Sequence, residues 1–189
     1  RSQGWLGEIF EVHAVMSKVV EPLQRKLLAE YKGGIFFELA CHVLDLVIGV
    51  VGKPRTVTSF HTRSPKSGDT LVDNSLAVLA YPRATATVKS SALEVEGFER
   101  RHLTVCGTEG TFHIQPLDSP AVRLSLARPR GTYLAGTQEV KLPKYVRYVD
   151  DAADMARVIR GEKASDFSYE HDWIVQSTLL EACGQPFQE

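Results

Sequence analysis

The sequence predicts an α+β domain: an open, mainly antiparallel sheet of about seven or eight strands with helices packed on one face. Three observations lead there. Short alternating runs follow one another between Arg55 and Leu142, mostly joined by tight turns. One strongly apolar helical run, Phe36 to Val51, lies near the start. Two amphipathic helical patterns close the chain.

The elements follow in order. Gly7 to Val19 holds Ile9, Phe10, Val12 and Val15, the β-branched and aromatic content of a long strand. Glu21 to Tyr31 carries Pro22 where a first helical residue would sit, and fits a short helix or an irregular crossing loop. Gly33-Gly34 breaks the chain before the helix Phe36 to Val51, with Gly52 as its C-cap and Pro54 just beyond. The period then turns to alternation. Arg55 to Arg63, Thr70 to Tyr81 and Ala84 to Glu94 read as strands, the last two joined through Pro82-Arg83. His102 to Cys106 and Thr111 to Gln115 flank Gly107-Thr-Glu-Gly110, a hairpin signature. Val122, Leu124 and Leu126 alternate with polar or small residues, and Gln138 to Leu142 is a candidate last strand. Tyr148 to Arg160 gathers Val149, Ala152, Ala153, Ala156 and Ile159 near one side and stops at Gly161. Glu170 to Cys183 is ended by Gly184 and Pro186. Both closing helices are expected to lie on the sheet.

Composition bounds the function. The chain has 189 residues, which suits one domain over residues 1–189. Its 22 Lys+Arg against 23 Asp+Glu leave a net charge of -1, without the basic excess of a nucleic-acid or membrane-surface binder. A hydrophobic content of 43% excludes global disorder. The apolar stretch Ile35 to Val51 is interrupted by ionisable residues, so no membrane span is expected. Cys41, Cys106 and Cys183 are odd in number and widely spaced, which suits a reducing cytoplasm. The chain begins without Met or a signal-like apolar run, and reads as part of a longer protein.

One feature stands above that layout. The only ionisable side chains between Phe36 and Ile48 are Glu38, His42 and Asp45, spaced i, i+4, i+7. At 3.6 residues per turn they share one face of an otherwise apolar helix. Buried ionisable groups are costly unless they meet partners. Asp45 alone fits a structural hydrogen bond to nearby backbone or a strand. His42, with Glu38 one turn earlier, suits a general acid/base whose ring a carboxylate orients. A metal site would need ligands from a second helix, and His171-Asp172 are the candidates.

Gly33-Gly34-Ile-Phe-Phe-Glu38-Leu-Ala-Cys-His42-Val-Leu-Asp45, followed by Gly52-Lys-Pro54, resembles the G-G-x-x-x-(D/E)-x-x-x-H-x-x-D…G-x-P signature of the Gfo/Idh/MocA oxidoreductases. Gly4-Trp-Leu-Gly-Glu-Ile, the Gly107-Thr-Glu-Gly110 hairpin and the last helix from His171-Asp172-Trp173 extend the likeness along nearly the whole chain. The resembling part is the family's C-terminal substrate and oligomerisation domain, similar to the C-terminal fold of glyceraldehyde-3-phosphate dehydrogenase. The resemblance implies an N-terminal Rossmann domain that binds NAD or NADP and supplies a catalytic Lys; neither is in this chain. Gly107-Thr-Glu-Gly110 joins two strands and opens no helix, so it offers no pyrophosphate site.

The resemblance further implies that His42 takes the proton of a substrate hydroxyl while hydride leaves the same carbon for the nicotinamide, or runs the reverse. It makes Glu38 the acidic group that binds substrate or orients His42, and Asp45 a supporting residue. The implied substrate is a sugar, polyol or related hydroxyl compound. The implied assembly is a homodimer or homotetramer through the open sheet face. This domain alone is expected to bind no cofactor and to be inactive. His13, Arg101 and Lys89 are weaker substrate-binding or support candidates, each also readable as solvated surface; Trp173 fits a pocket wall or a core anchor. Two other function classes stay open: a non-enzymatic oligomerisation or ligand-binding module, and a metal-dependent hydrolase or lyase built on Glu38, His42 and His171.

Overall fold

The computed structural model describes residues 4–65, 68–144, 146 and 148–185. Its strands are β1 (Ile9–Val15), β2 (Thr56–Thr62), β3 (Asn74–Ala80), β4 (Thr85–Ser91), β5 (His102–Gly107), β6 (Gly110–Ile114), β7 (Val122–Leu126) and β8 (Gly136–Val140). Its helices are α1 (Pro22–Leu28), α2 (Cys41–Val51), α3 (Gly97–Arg100), α4 (Val149–Ile159) and α5 (Tyr169–Ala182). The strands form one sheet in the order β2-β3-β4-β1-β5-β6-β7-β8. Every neighbouring pair is antiparallel except β1 and β4, which run parallel. This is the α+β sheet that the sequence predicts.

Side chains along a strand point alternately to the two faces. On β1, Val12 and Ala14 face the helices, while Glu11 and His13 lie on the other side. Ala77 and Leu79 of β3, Ala86 and Val88 of β4, and Leu103 and Val105 of β5 continue the inner face. α2 lays Val43, Leu44, Val47 and Ile48 on it, and Leu179 and Ala182 of α5 close the same core. A smaller cluster of Val20, Leu28, Ile35, Leu39, Leu71 and Ala92 seats α1 against the start of the α2 segment. Arg25, buried on α1, holds the facing loop by ion pairs to Asp69 (2.6 Å) and the fully buried Asp73 (2.8 Å).

Four expectations change. The first strand ends at Val15; beyond it Met16, Lys18 and Val20 N–H still donate to the carbonyls of Lys89, Ser91 and Ala92, and Val19 bridges Leu93. The predicted helix from Phe36 starts as a π-helical turn over Phe36–Ala40 before α2 begins. Residues 97–100 form the short helix α3 ahead of β5. Finally, no residue of α4 is buried, so only α5 of the two closing helices packs on the core. Trp173 is 52% exposed and is no core anchor. Pro186, the expected stop after α5, lies outside the described residues. Among the described residues no helix is long and apolar enough to cross a membrane.

Candidate active site

The chain enters the π turn through Gly33 and Gly34, both at positive φ. Gly34 packs its Cα against the loop before β3, where a Cβ would stand 2.6 Å from the Val72 carbonyl oxygen. Ile35 N–H donates to that same carbonyl at 3.2 Å. A π turn takes more residues per turn than an α-helix and recurs at functional sites. Here it carries Glu38, with His42 following in the first turn of α2.

The three ionisable groups have different surroundings. Glu38 is partly buried, and its Oε1 accepts from Lys18 Nζ at 3.1 Å. Its Oε2 is buried and has no hydrogen-bond partner among the described residues. The carboxylate therefore turns to Lys18, and no hydrogen bond joins it to His42 among the described residues. The ring of His42 is exposed, and among the described residues no hydrogen bond or ion pair engages it. Asp45 is half-buried and meets His171 of α5, with Nε2 to Oδ1 at 2.6 Å. Asp45 thus bonds a side chain of the last helix, where backbone or a strand was expected.

Lys18 is the residue that sequence reasoning passed over. It follows β1 inside the long strand-like run, where nothing in its spacing links it to Glu38. Its N–H donates to Ser91 C=O at 3.1 Å, and Arg101 Nε donates to the carbonyl of the preceding Ser17 at 3.1 Å. Arg101 is itself buried, held by both oxygens of Asp118 at 3.0 Å and stacked 3.8 Å from the Phe98 ring centroid. Its guanidinium clamps the fold behind Lys18. His13 stands apart on the opposite face of the sheet, bound to Thr87 Oγ1 (2.7 Å) and Glu11 (2.9 Å). Lys89 shares that outer face in the alternation of β4.

Burial pushes the Cys41 thiol up, so the sulfur next to His42 stays protonated and unsuited to nucleophilic attack. Among the described residues no three His, Cys, Asp or Glu side chains are arranged to share a metal ion. An apolar cavity of about 460 Å³, walled by Trp5, Leu6, Val50, Leu103, Phe112 and Tyr133, lies at the C-terminal end of α2. Glu38 and Val50 are 12 residues apart, roughly 18 Å along a helix, so this cavity is separate from the Glu38–His42 surface.

The family model described as the GFO/IDH/MocA C-terminal domain matches residues 2–113, more than half of the chain, with Lys18, Glu38, His42 and Asp45 inside the match. The chain belongs to the GFO/IDH/MocA C-terminal domain family. Solved structures share the fold of this GFO/IDH/MocA domain. A protein described as an oxidoreductase from Thermotoga maritima matches with a TM-score of 0.75 and 22% identity, over 96% of this chain and 54% of that one. UDP-N-acetylglucosamine 3-dehydrogenase from Acidithiobacillus ferrooxidans matches with a TM-score of 0.76 and 16% identity, over 98% and 56%. A protein described as an NADPH-dependent oxidoreductase from Desulfitobacterium hafniense gives 0.72 and 15%, over 98% and 56%. The chain spans little more than half the length of these structures. No curated protein matches it.

Proposed function

We propose that this GFO/IDH/MocA domain is the substrate-facing part of an NAD(P)-dependent oxidoreductase acting on a sugar, polyol or related hydroxyl compound. The observation that carries the reading is the contrast along one helix. Glu38 and Asp45 are engaged by Lys18 and His171, while the His42 ring is exposed and free of partners among the described residues. An exposed imidazole between two anchored carboxylates is placed to exchange a proton with a bound hydroxyl. The dehydrogenase and NADPH-dependent names of the similar structures support the same class.

In this reading His42 accepts the hydroxyl proton at a ring nitrogen in oxidation and returns it in reduction. Glu38 binds the substrate beside it. The hydride passes to or from NAD or NADP held by a separate N-terminal Rossmann domain. Gly107 to Gly110 turn directly from β5 into β6 and open no helix that could hold a pyrophosphate. Val19 and its bridge partner Leu93, both exposed, form an apolar margin beside Lys18 for that second domain. The outer face of the sheet, with His13, Thr104, His113 and Arg123 in one cross-strand row, is the surface for a homodimer or homotetramer. The three free cysteines suit a reducing cytoplasm.

The test is His42→Ala in the enzyme that includes the Rossmann domain. Turnover should fall by about 10²-fold or more, with the affinity for NAD(P)H unchanged. Retained turnover removes His42 from this role. Micromolar NAD(P)H binding by the present chain alone, measured by calorimetry, would remove the separate cofactor domain.

A further inference from the structure

α2 packs over β1 and β4. Past its end, the inner face of β5 to β7 shares the apolar cavity of about 460 Å³ with Trp5, Leu6 and Tyr133. Phe112 of β6 and Leu124 of β7 supply its sheet side, and Val50 its α2 side. Among the described residues no Asp, Glu, Lys, Arg or His lies in the wall. Trp5 stands edge-on to Tyr133, with ring centroids 5.6 Å apart. The backbone holds this wall in place. Glu109 N–H donates to Leu6 C=O at 2.9 Å, and Gly7 N–H donates to Gly4 C=O at 3.1 Å. Gly107 leaves no room for a Cβ beside the same Leu6 carbonyl, and a Cβ on Gly131 would stand 3.3 Å from the Trp5 ring.

We propose that this cavity is a binding site for a small neutral aromatic compound, apart from the Glu38–His42 surface. Its volume falls in the range of small-molecule sites, and is about three times the ~150 Å³ in which an apolar cavity takes up benzene. Trp5, Phe112 and Tyr133 set three aromatic rings in one wall. An aromatic guest gains edge-on or offset-stacked contacts with them beyond the area it buries. A charged guest would lose its hydration with no counter-charge in the wall, and a sugar would turn its hydroxyls toward apolar side chains. The site therefore does not duplicate a hydroxyl-binding surface at His42, and it stands whether or not His42 transfers a proton. Because the wall is already held by backbone hydrogen bonds, little ordering opposes binding.

The test follows the indole N–H signals of the ¹⁵N-labelled chain by NMR. Trp5 and Trp173 are the two Trp residues, so Trp5 reports on the cavity and Trp173 is the control; Trp173→Phe assigns the signals. The probes are naphthalene, its carboxylate 1-naphthoate, and sorbitol. Naphthalene should move the Trp5 signal saturably and leave Trp173 in place. 1-Naphthoate should need at least about tenfold more for the same change, and sorbitol should move neither signal. Nuclear Overhauser contacts should join the naphthalene protons to the methyls of Leu6 and Leu124. Val50→Phe, which fills the α2 side, should weaken the Trp5 response at least about tenfold, with a melting curve showing that it is folded. No saturable Trp5 response, an equal response of Trp173, or absence of those Overhauser contacts overturns the site. So does an undiminished response of folded Val50→Phe; if that variant does not fold, the Overhauser contacts of the unsubstituted chain decide. 1-Naphthoate binding as well as naphthalene, or a Trp5 response to sorbitol, overturns the ligand class. The enzyme that includes the Rossmann domain should give the same Overhauser contacts. Their loss there overturns the proposal, because the cavity is then covered by that domain.

Discussion

His171 and Asp45 stand 126 residues apart in sequence, and their side chains meet at 2.6 Å. The contact ties α5 to α2 one turn beyond His42. Replacing either residue with Ala should cost about 1–2 kcal/mol. The double variant should cost little more than one of them, because both substitutions remove the same bond. Urea midpoints of the four proteins measure this, and strictly additive losses would contradict the coupling.

Arg25 makes a stronger tie. Its guanidinium bonds Asp69 and Asp73 together, and Asp73 is fully buried. Arg25→Leu leaves that carboxylate without its cation and should cost about 3–5 kcal/mol. Arg25→Lys should recover only part, since a single ammonium cannot reproduce the fork of donors. Denaturant unfolding reads both; equal stability of Lys and Arg would refute the bidentate role.

His113 brings a pH dependence. Burial first, then the positive charges of Arg123 and His102, push its imidazole below the usual histidine range. As pH falls, the unfolded chain takes up the proton before the folded one does. Stability held above about pH 6.5 is therefore lost as pH falls through the folded value. In His113→Gln, the melting temperature should fall less between about pH 7 and pH 5. Parallel pH profiles for the two proteins would assign the loss to other groups.

Gly34 has φ +51° and no room for a Cβ beside the Val72 carbonyl. Gly34→Ala should cost about 1–3 kcal/mol by backbone strain and by displacing the entrance to the π turn. An unchanged thermal midpoint would show that the turn yields freely.

Much of the fold was legible because its signals are local. Gly107-Thr-Glu-Gly110 announced the β5–β6 hairpin, and Gly52 marked the end of α2. The face bearing Glu38, His42 and Asp45 was readable from spacing alone. The partners were not. Periodicity says which side chains share a face, but not which distant segment meets it. Lys18 and His171 reach Glu38 and Asp45 from 20 and 126 residues away. The same limit applies to α4, whose apolar stripe matched that of a packed helix although none of its residues is buried. Arg101 read as a substrate-binding or support candidate, yet its guanidinium is occupied within the fold by Asp118 and Ser17.

The place of β1 has a consequence for how the domain assembles. Strands β2 to β4 join in sequence, as do β5 to β8, so each group can zip up through nearby turns. β1 belongs to neither and lies between them, parallel to a strand that begins 70 residues after Val15. Until it is inserted, the two half-sheets share no ladder. The first strand is thus the keystone of folding: the largest chain-closure entropy falls on its docking, which should set the rate. Lys18 follows β1 by only three residues, so the seating of that keystone also fixes the strand end from which Lys18 reaches Glu38.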